Sequence, residues 1–550
     1  MNRIFLFIFI LLITIDVLPQ SSLDCYRIFL ADKQNSSYSV NEPERFLSQR
    51  AIDKRIRFNI PITVEDLPVN EIYIQQILAI NSNIRLLTKS KWNNSIVIFC
   101  PDESMIESIS LFPYVNEIVA IGSYNNLFPQ KNEVNLFSKE DVNLLYYDYG
   151  MSYPQIAIHR GDLLHDLNFK GEGMLIAVLD AGWTNFNNLD NLASLRENGQ
   201  ILGTRDLQPD VDNVFMGNSH GTAVTSIMGA AIDGQLIGSA PLADYFFIRS
   251  ENPWCEQWIE EDFWAEAAEI ADSIGADVIN SSLGYTTYEN LPGLFSYVNS
   301  DGVSSVASRA ATIATSKGII VCVSAGNSGD NTWHYVGRPA DAVDILTIGA
   351  VSKDSVPAPF TSVGPSYDGR IKPDVASVGW FTAYLAQNDT VYLGHGTSYA
   401  SPVIAGLAAC LWEALPEYSA PEIMQMIRKS AHQYMTPDTL MGYGIPDFYK
   451  AYLENLPNEI IQNYDDLDCS VFPNPCSEKV FITIASSSKI YKVCLYDSFG
   501  RIVLSQENIN DYSLIDVSVK HLQQGVYFMH IFIDKQNKTN KSVVKKIIKL

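Results

Sequence analysis

Five short apolar runs, Met174 to Leu179, Tyr245 to Ile248, Asp277 to Ile279, Ile319 to Val323 and Ile345 to Ile348, recur between Gln155 and about Leu456. They alternate with stretches of helical periodicity at Gly221 to Ala230, Glu260 to Ile274, Ser304 to Ser316, Ser398 to Trp412 and Ala420 to Lys429. A run that is apolar at successive positions must bury both faces of its strand, and the alternating helices supply that cover. The expectation is an α/β domain: a parallel sheet with helices on both faces.

The flanking segments carry other rhythms. From Cys25 to about Gly122, strand-like Tyr26 to Leu30 and Ile96 to Phe99 surround helix-like Glu42 to Arg57 and Asn70 to Ile80, which predicts a small α+β unit. Asn125, Asn126, Pro129, Gln130, Lys131 and Asn132 read as an exposed connection. After Asn458, the acidic stretch Gln462 to Asp468 reads as a linker. Val480 to Ile484, Ile490 to Tyr496, Ile502 to Leu504 and Val526 to Ile533 then alternate polar with apolar, as in a small β-sandwich. The expected division is 1–22, 23–135, 136–458, a linker at 459–468, and 469–550.

Asn2 and Arg3 precede the apolar run Ile4 to Ile15 and a polar stretch at Pro19, Gln20 and Ser21, the pattern of an export signal. That run is shorter than the roughly 20 residues a spanning helix needs, which disfavours an anchor. A formal net charge of −24 disfavours nucleic acid, because phosphate binding requires clustered Lys and Arg. The 8 cysteines are dispersed and show no zinc spacing. Cys322 and Cys410 read as buried thiols, and Cys469 and Cys476, which flank a Pro-containing turn, are candidates for pairing.

Three segments carry chemistry. Ile176-Ala177-Val178-Leu179-Asp180-Ala181-Gly182 is an apolar strand ending in a carboxylate, at the end of a parallel strand where ligands and catalytic groups collect. His220-Gly221-Thr222 opens a helix-like segment of small and apolar residues, and His395-Gly396-Thr397 repeats the tripeptide. The residues after His395 decide between them: Ser398 stands at the start of an apolar helix, where N–H groups and the helix dipole stabilise an oxyanion. The alternative for Ser398 is a plain N-cap. Asp180, His220 and Ser398 run in an order distinct from that of the α/β-hydrolases, and Ala400 stands where those enzymes need the second glycine of Gly-x-Ser-x-Gly. A fourth segment, Gly318 to Gly329, is a buried strand ending in a loop that presents Asn327, a turn residue or an oxyanion donor.

With these four motifs in this order, the segment from about Gly171 to Gly444 resembles the catalytic domain of the subtilisin-like serine peptidases, the subtilases. The resemblance implies a secreted serine endopeptidase acting on protein or peptide substrates through an acyl-enzyme. By it, Asp180 orients His220, His220 is the general base and acid, Ser398 is the nucleophile, and Asn327 with the Ser398 N–H binds the oxyanion. Ser282, Leu283 and Gly284 match the family's substrate-pairing strand, and Ala325 with Gly326 matches the facing wall of the primary pocket. Ala181 departs from the Ser or Thr common at that position.

The resemblance extends to the flanks. Glu44 to Ala51 through Asp66-Leu67-Pro68 resembles the propeptide of bacterial secreted members, an inhibitor in cis. Val471-Phe472-Pro473-Asn474-Pro475, Leu495-Tyr496-Asp497, Gly525-Val526-Tyr527 and the basic terminus ending in Lys549-Leu550 resemble sorting domains of the type IX secretion route. That implies export through the periplasm and outer membrane, with the secretion machinery as a partner. No cofactor for catalysis and no metal ligand set is expected; a structural calcium is left open at Asp206, Asp210 and Asp212, where a solvated acidic loop is the alternative. The competing functional reading is a catalytically silent subtilase fold serving as a surface adhesin.

Overall fold

The computed structural model describes residues 23–123, 148–208, 212–288, 291, 293–455, 469–472, 474, 476–484, 488–497, 501–507, 515–535 and 541–549. The expected signal at 1–22, the connection at 125–132 and the linker at 459–468 lie outside the described residues, as does Asp210. Two compact units, Met1–Asn455 and Leu456–Leu550, make up the chain.

At the N-terminal end of the first unit, β1 (Cys25–Leu30), β2 (Arg85–Ser90), β3 (Ser95–Phe99) and β4 (Val115–Gly122) form an antiparallel sheet in the order β2-β3-β1-β4. Three helices accompany it: α1 (Gln49–Arg57), α2 (Glu71–Leu78) and α3 (Ser104–Ser110). The helix expected from Glu42 starts only at Gln49, because Ser48 caps it by accepting from the Ala51 N–H. Pro43–Arg45 forms a separate 3₁₀ turn.

The following elements are α4 (Tyr153–Ala157), α5 (Gly161–Asp166), β5 (Leu175–Asp180), α6 (Ala193–Glu197), β6 (Ile201–Asp206) and α7 (His220–Gly229), then the short hairpin β7 (Ala231–Ile232) and β8 (Leu236–Ile237). After it come β9 (Asp244–Arg249), α8 (Glu260–Ile274), β10 (Val278–Ser281), α9 (Val306–Ser316), β11 (Ile320–Ser324) and β12 (Leu346–Ser352). The last are β13 (Val375–Leu385), β14 (Val391–His395), α10 (Thr397–Ala414), α11 (Ala420–Ser430) and α12 (Phe448–Glu454). Eight strands pair in the order β14-β13-β12-β11-β10-β5-β9-β6. All neighbours are parallel except β13 and β14, so the parallel sheet expected from the sequence carries one antiparallel edge strand.

Both faces of this sheet are buried, as the apolar runs require. In β5, Ile176 and Val178 join the core under α7 and α10, while Leu175, Ala177 and Leu179 join the core under α8 and α9. In β11, Ile320 and Cys322 divide from Val321 and Val323 in the same way. Each such Ile, Val or Leu contributes about 1.5–3 kcal/mol by leaving water, so the register of every central strand is pinned on two sides. Helix α10 is apolar nearly all round and lies against β10 through β13 in this core.

The N-terminal α+β unit packs on α8 through charge. Arg27 forms a two-point ion pair with Asp262 at 2.7 and 2.5 Å, with both side chains under 5% exposed. Arg55 sits between Asp66 at 3.0 Å and Asp272 at 2.8 Å, and Lys91 reaches Asp272 at 3.0 Å. Glu269 accepts from the Ser90 hydroxyl and from the N–H groups of Lys91 and Trp92. Asp262, Glu269 and Asp272 are spaced to share one helical face, and all three are buried.

The second unit is a sandwich of two antiparallel sheets. One orders β15 (Cys469–Phe472), β16 (Lys479–Ile484) and β19 (Ile515–Ser518) as β15-β16-β19. The other orders β17 (Ser488–Tyr496), β18 (Ile502–Glu507), β20 (Gly525–Lys535) and β21 (Lys541–Lys549) as β18-β17-β20-β21. Val480, Ile482 and Val517 of the first share a core with Val493, Leu495, Met529, Ile531 and Ile547 of the second. Cys322 and Cys410 are buried free thiols. Cys476 is also a buried free thiol and donates to the Ile548 carbonyl, while the side chain of Cys469 lies outside the described residues. Among the described residues no helix is long and apolar enough to cross a membrane.

Candidate active site

Asp180 ends β5 with its side chain fully buried, and His220 opens α7. The imidazole Nδ1 lies 2.9 and 3.0 Å from the two carboxylate oxygens of Asp180. Asp180 also accepts from the Ala181 N–H at 2.7 Å, so this contact comes from the backbone and does not depend on the side chain at 181. Two glycines bring strand and helix together. A Cβ on Gly182 would lie 2.1 Å from the Met216 carbonyl, and one on Gly221 would lie 2.7 Å from the Gly182 carbonyl. Gly182 and Gly221 are therefore packing requirements.

The Asp180 contact fixes the imidazole tautomer with hydrogen on Nδ1, which leaves Nε2 as the basic nitrogen. Burial alone would make His220 harder to protonate, but the Asp180 charge and hydrogen bond outweigh it and hold the imidazole above its ordinary 6.5. The His220 side chain keeps 27% of its surface open to solvent.

Ser398 is the second residue of α10, at the positive end of the helix dipole. Its hydroxyl donates to the Ser282 carbonyl at 3.2 Å, and the Ser282 hydroxyl donates to the Ser398 carbonyl at 2.9 Å. The Ser398 hydroxyl is thus bonded to Ser282, whereas the imidazole of His220 is bonded to Asp180.

Asn327 is exposed at the end of the β11 loop. Its Oδ1 accepts from the N–H of Thr397 at 2.9 Å and from the Thr397 hydroxyl at 3.1 Å. Because a backbone N–H can only donate, this contact orients the amide and leaves the two Nδ2 hydrogens for another acceptor. Thr397 also accepts from the Gly326 N–H at 3.1 Å, so one buried residue ties the Asn327 loop to the start of α10. No local pattern announced Thr397, because its partner is 70 residues away in sequence.

Ser282, Leu283 and Gly284 continue the chain beyond β10, and Ala325 and Gly326 continue it beyond β11. Ser282 bonds Ser398 and Gly326 bonds Thr397, so the two segments flank the start of α10. Gly326 has φ +102°, and a Cβ there would sit 2.8 Å from the Ser362 hydroxyl. Just after Gly284, the buried Tyr285 hydroxyl bonds the Glu251 carboxyl, which burial and the neighbouring Glu256 push well above the usual range. Sequence reading missed Glu251, since nothing local marks it as buried.

Of the second tripeptide, Thr397 belongs to this cluster but His395 does not. His395 ends β14, accepts from the Phe381 N–H at 3.3 Å and meets the Phe381 ring edge-on at 4.5 Å. Of the acidic loop, Asp206 is already engaged with Arg249 at 3.0 Å and with the N–H groups of Gln208 and Asn213. Among the described residues no group of three or more His, Cys, Asp or Glu could hold a metal ion. A hydroxyl, an imidazole oriented by a buried carboxylate and an amide beside a helix N-terminus are the kinds of group that nucleophilic acyl transfer uses.

Three family models match the chain. Residues 171–444 match the model of the subtilase family, residues 25–135 that of the peptidase S8 propeptide domain of Bacteroidota, and residues 470–548 that of a secretion system C-terminal sorting domain. The serine protease AprX of Bacillus subtilis (strain 168) is 25% identical over 328 residues, which cover 53% of this chain and 66% of that relative. Subtilisin NAT of Bacillus subtilis subsp. natto is 26% identical over 342 residues, 61% of this chain and 80% of that relative. The crystal structure of MycP1 with its N-terminal propeptide removed overlaps 56% of this chain and 98% of its own, at 20% identity and a TM-score of 0.44. The protein thus carries a subtilase domain between a propeptide domain and a C-terminal sorting domain, and belongs to the subtilase family of serine endopeptidases.

Proposed function

We propose that this secreted zymogen hydrolyses peptide bonds through Asp180, His220 and Ser398. His220 Nε2 takes the Ser398 proton as Oγ attacks the scissile carbonyl carbon, and the carbonyl oxygen becomes an oxyanion facing the Asn327 Nδ2 hydrogens and the Ser398 N–H. Collapse of this intermediate breaks the C–N bond, and the imidazolium returns its proton to the leaving amine. Water repeats the sequence on the acyl-enzyme, with His220 again as base, and restores the Ser398 hydroxyl. Asp180 stays ionised throughout and pairs with the imidazolium. The substrate backbone lies between Ser282-Leu283-Gly284 and Ala325-Gly326. No step needs a cofactor.

The observation that carries this reading is the oriented pair of amide and imidazole: Thr397 fixes the Asn327 amide while Asp180 fixes the His220 tautomer, on either side of the Ser398 helix start. The propeptide, within residues 23–135, holds the peptidase part, within 136–458, by the buried ion pairs on α8. The unit at 469–550 directs the chain across the outer membrane after a signal at 1–22 has taken it into the periplasm. A serine-directed fluorophosphonate tests the mechanism. It should label the matured wild type and leave Ser398→Ala unlabelled with its propeptide uncut. A labelled, processed Ser398→Ala would overturn the triad, and an unlabelled wild type would favour the silent adhesin.

A further inference from the structure

Tyr399 follows Ser398 in α10, and its ring lies over the imidazole of His220, with centroids 6.1 Å apart and planes 23° from parallel. Behind it stands Tyr384 of β13, stacked on Tyr399 at 5.0 Å and 16°. Tyr392 of β14 faces Tyr384 in turn at 6.5 Å. The backbone makes room for this column: Gly394 of β14 lacks a side chain, and a Cβ there would sit 2.4 Å from Cε2 of Tyr399 and 2.9 Å from Cε1 of Tyr384. Three elements beyond α7 therefore converge to press one aromatic face on the imidazole.

Such a face does two things for a histidine. Ring pairs at this separation add attraction beyond the area they bury, and that attraction depends on orientation. A π face also attracts a cation, so it favours imidazolium over neutral imidazole. Burial and the neighbouring Tyr384 push the Tyr399 phenol upward, so the ring stays neutral while His220 titrates. The titratable groups facing His220 are Asp180 from β5 and Tyr399 from α10, and the Asp180 charge in turn helps to raise the carboxyl of Glu251, beyond β9.

We propose that Tyr399 is a positioning residue for catalysis: its ring holds the His220 imidazole in the plane set by Asp180 and stabilises the imidazolium formed when the Ser398 proton reaches Nε2. Asp180 grips the ring at one nitrogen only, which leaves rotation about that contact free. The Tyr399 face removes this freedom, and Tyr384 keeps Tyr399 from turning away. This inference rests on the triad reading above.

The test compares Tyr399→Leu and Tyr399→Phe with wild type in the enzyme matured from the full-length chain, by steady-state hydrolysis of a chromogenic peptide across the acid limb of the pH profile. Leu keeps an apolar cover without a π face. It should lower kcat about 3- to 10-fold with KM little changed. It should also move the acid limb of kcat/KM to lower pH by about half a unit, because the imidazolium loses support. Phe keeps the ring and should recover both. If the Leu variant does not fold, Tyr399→Met is read by the same criteria. Unchanged kcat and acid limb, or a Phe variant as damaged as the Leu one, would overturn the role of Tyr399. Activity persisting in Ser398→Ala would instead fault the triad, which separates the two failures.

Discussion

Thr397 holds the amide of Asn327 at two points, its N–H 2.9 Å and its hydroxyl 3.1 Å from Oδ1. This anchoring predicts a graded series. Asn327→Leu removes the donor and should lower kcat by about 10²–10³ with KM little changed, the size such a donor carries in subtilisin. Thr397→Val keeps the N–H contact and loses the hydroxyl contacts to Asn327 and Gly326, so its loss should be smaller, about tenfold. Steady-state kinetics beside a melting curve decides the matter: equal losses in both variants, or losses that follow unfolding, would remove Asn327 from the mechanism.

The Asp180 contact makes a pH prediction. Burial alone would depress the His220 pKa, and Asp180 raises it above 6.5 on balance. The acid limb of kcat/KM should therefore lie above the ordinary histidine value. Asp180→Asn removes the charge but not the burial, so the limb should move to lower pH while kcat falls by about 10⁴, as for other triads. A limb that stays in place would mean that another group titrates there.

Arg55 is nearly fully buried between Asp66 and Asp272, whereas Arg45 pairs with Glu42 at a half-exposed site. In the uncleaved Ser398→Ala zymogen, Arg55→Met should cost about 3 kcal/mol. That is the low end for a broken buried pair, because Lys317 and Lys91 remain beside the two carboxylates. Arg45→Met should cost about 0.5 kcal/mol or less. Burial would raise Asp272, but Lys91 and Arg55 hold it below the ordinary 3.8. Its contribution is thus present above that value and fades as pH falls through the depressed one. Denaturant midpoints of the variants check this, and equal losses at the two arginines would contradict the buried-clamp arrangement.

Much of this protein is written in local patterns. The apolar runs at 174–179 and 319–323 reported central strands because a strand covered on both faces has no polar position to spare. Asp180 stood out because it closes a strand, His220 and Ser398 because they open helices, and Asn327 because it lies in the loop after a strand, while Gly182 and Gly221 answer to close backbone contacts. The antiparallel edge formed by β13 and β14 escaped notice: Phe381 has φ +64° at an irregularity in the ladder, which breaks the alternation that announces a strand.

What periodicity could not convey is which distant residues meet. Thr397 with Asn327, Ser398 with Ser282, and Tyr399 with His220 are joined by the packing of α10 against several strands at once. The acidic face of α8 is buried because Arg27, Arg55 and Lys91 of the N-terminal α+β unit cover it. Local spacing records what a backbone segment does by itself, so it names the elements and the reactive side chains. Orientation of an amide, burial of a charge and the cover over an imidazole depend on neighbours far away in the chain, and only the tertiary structure sets them.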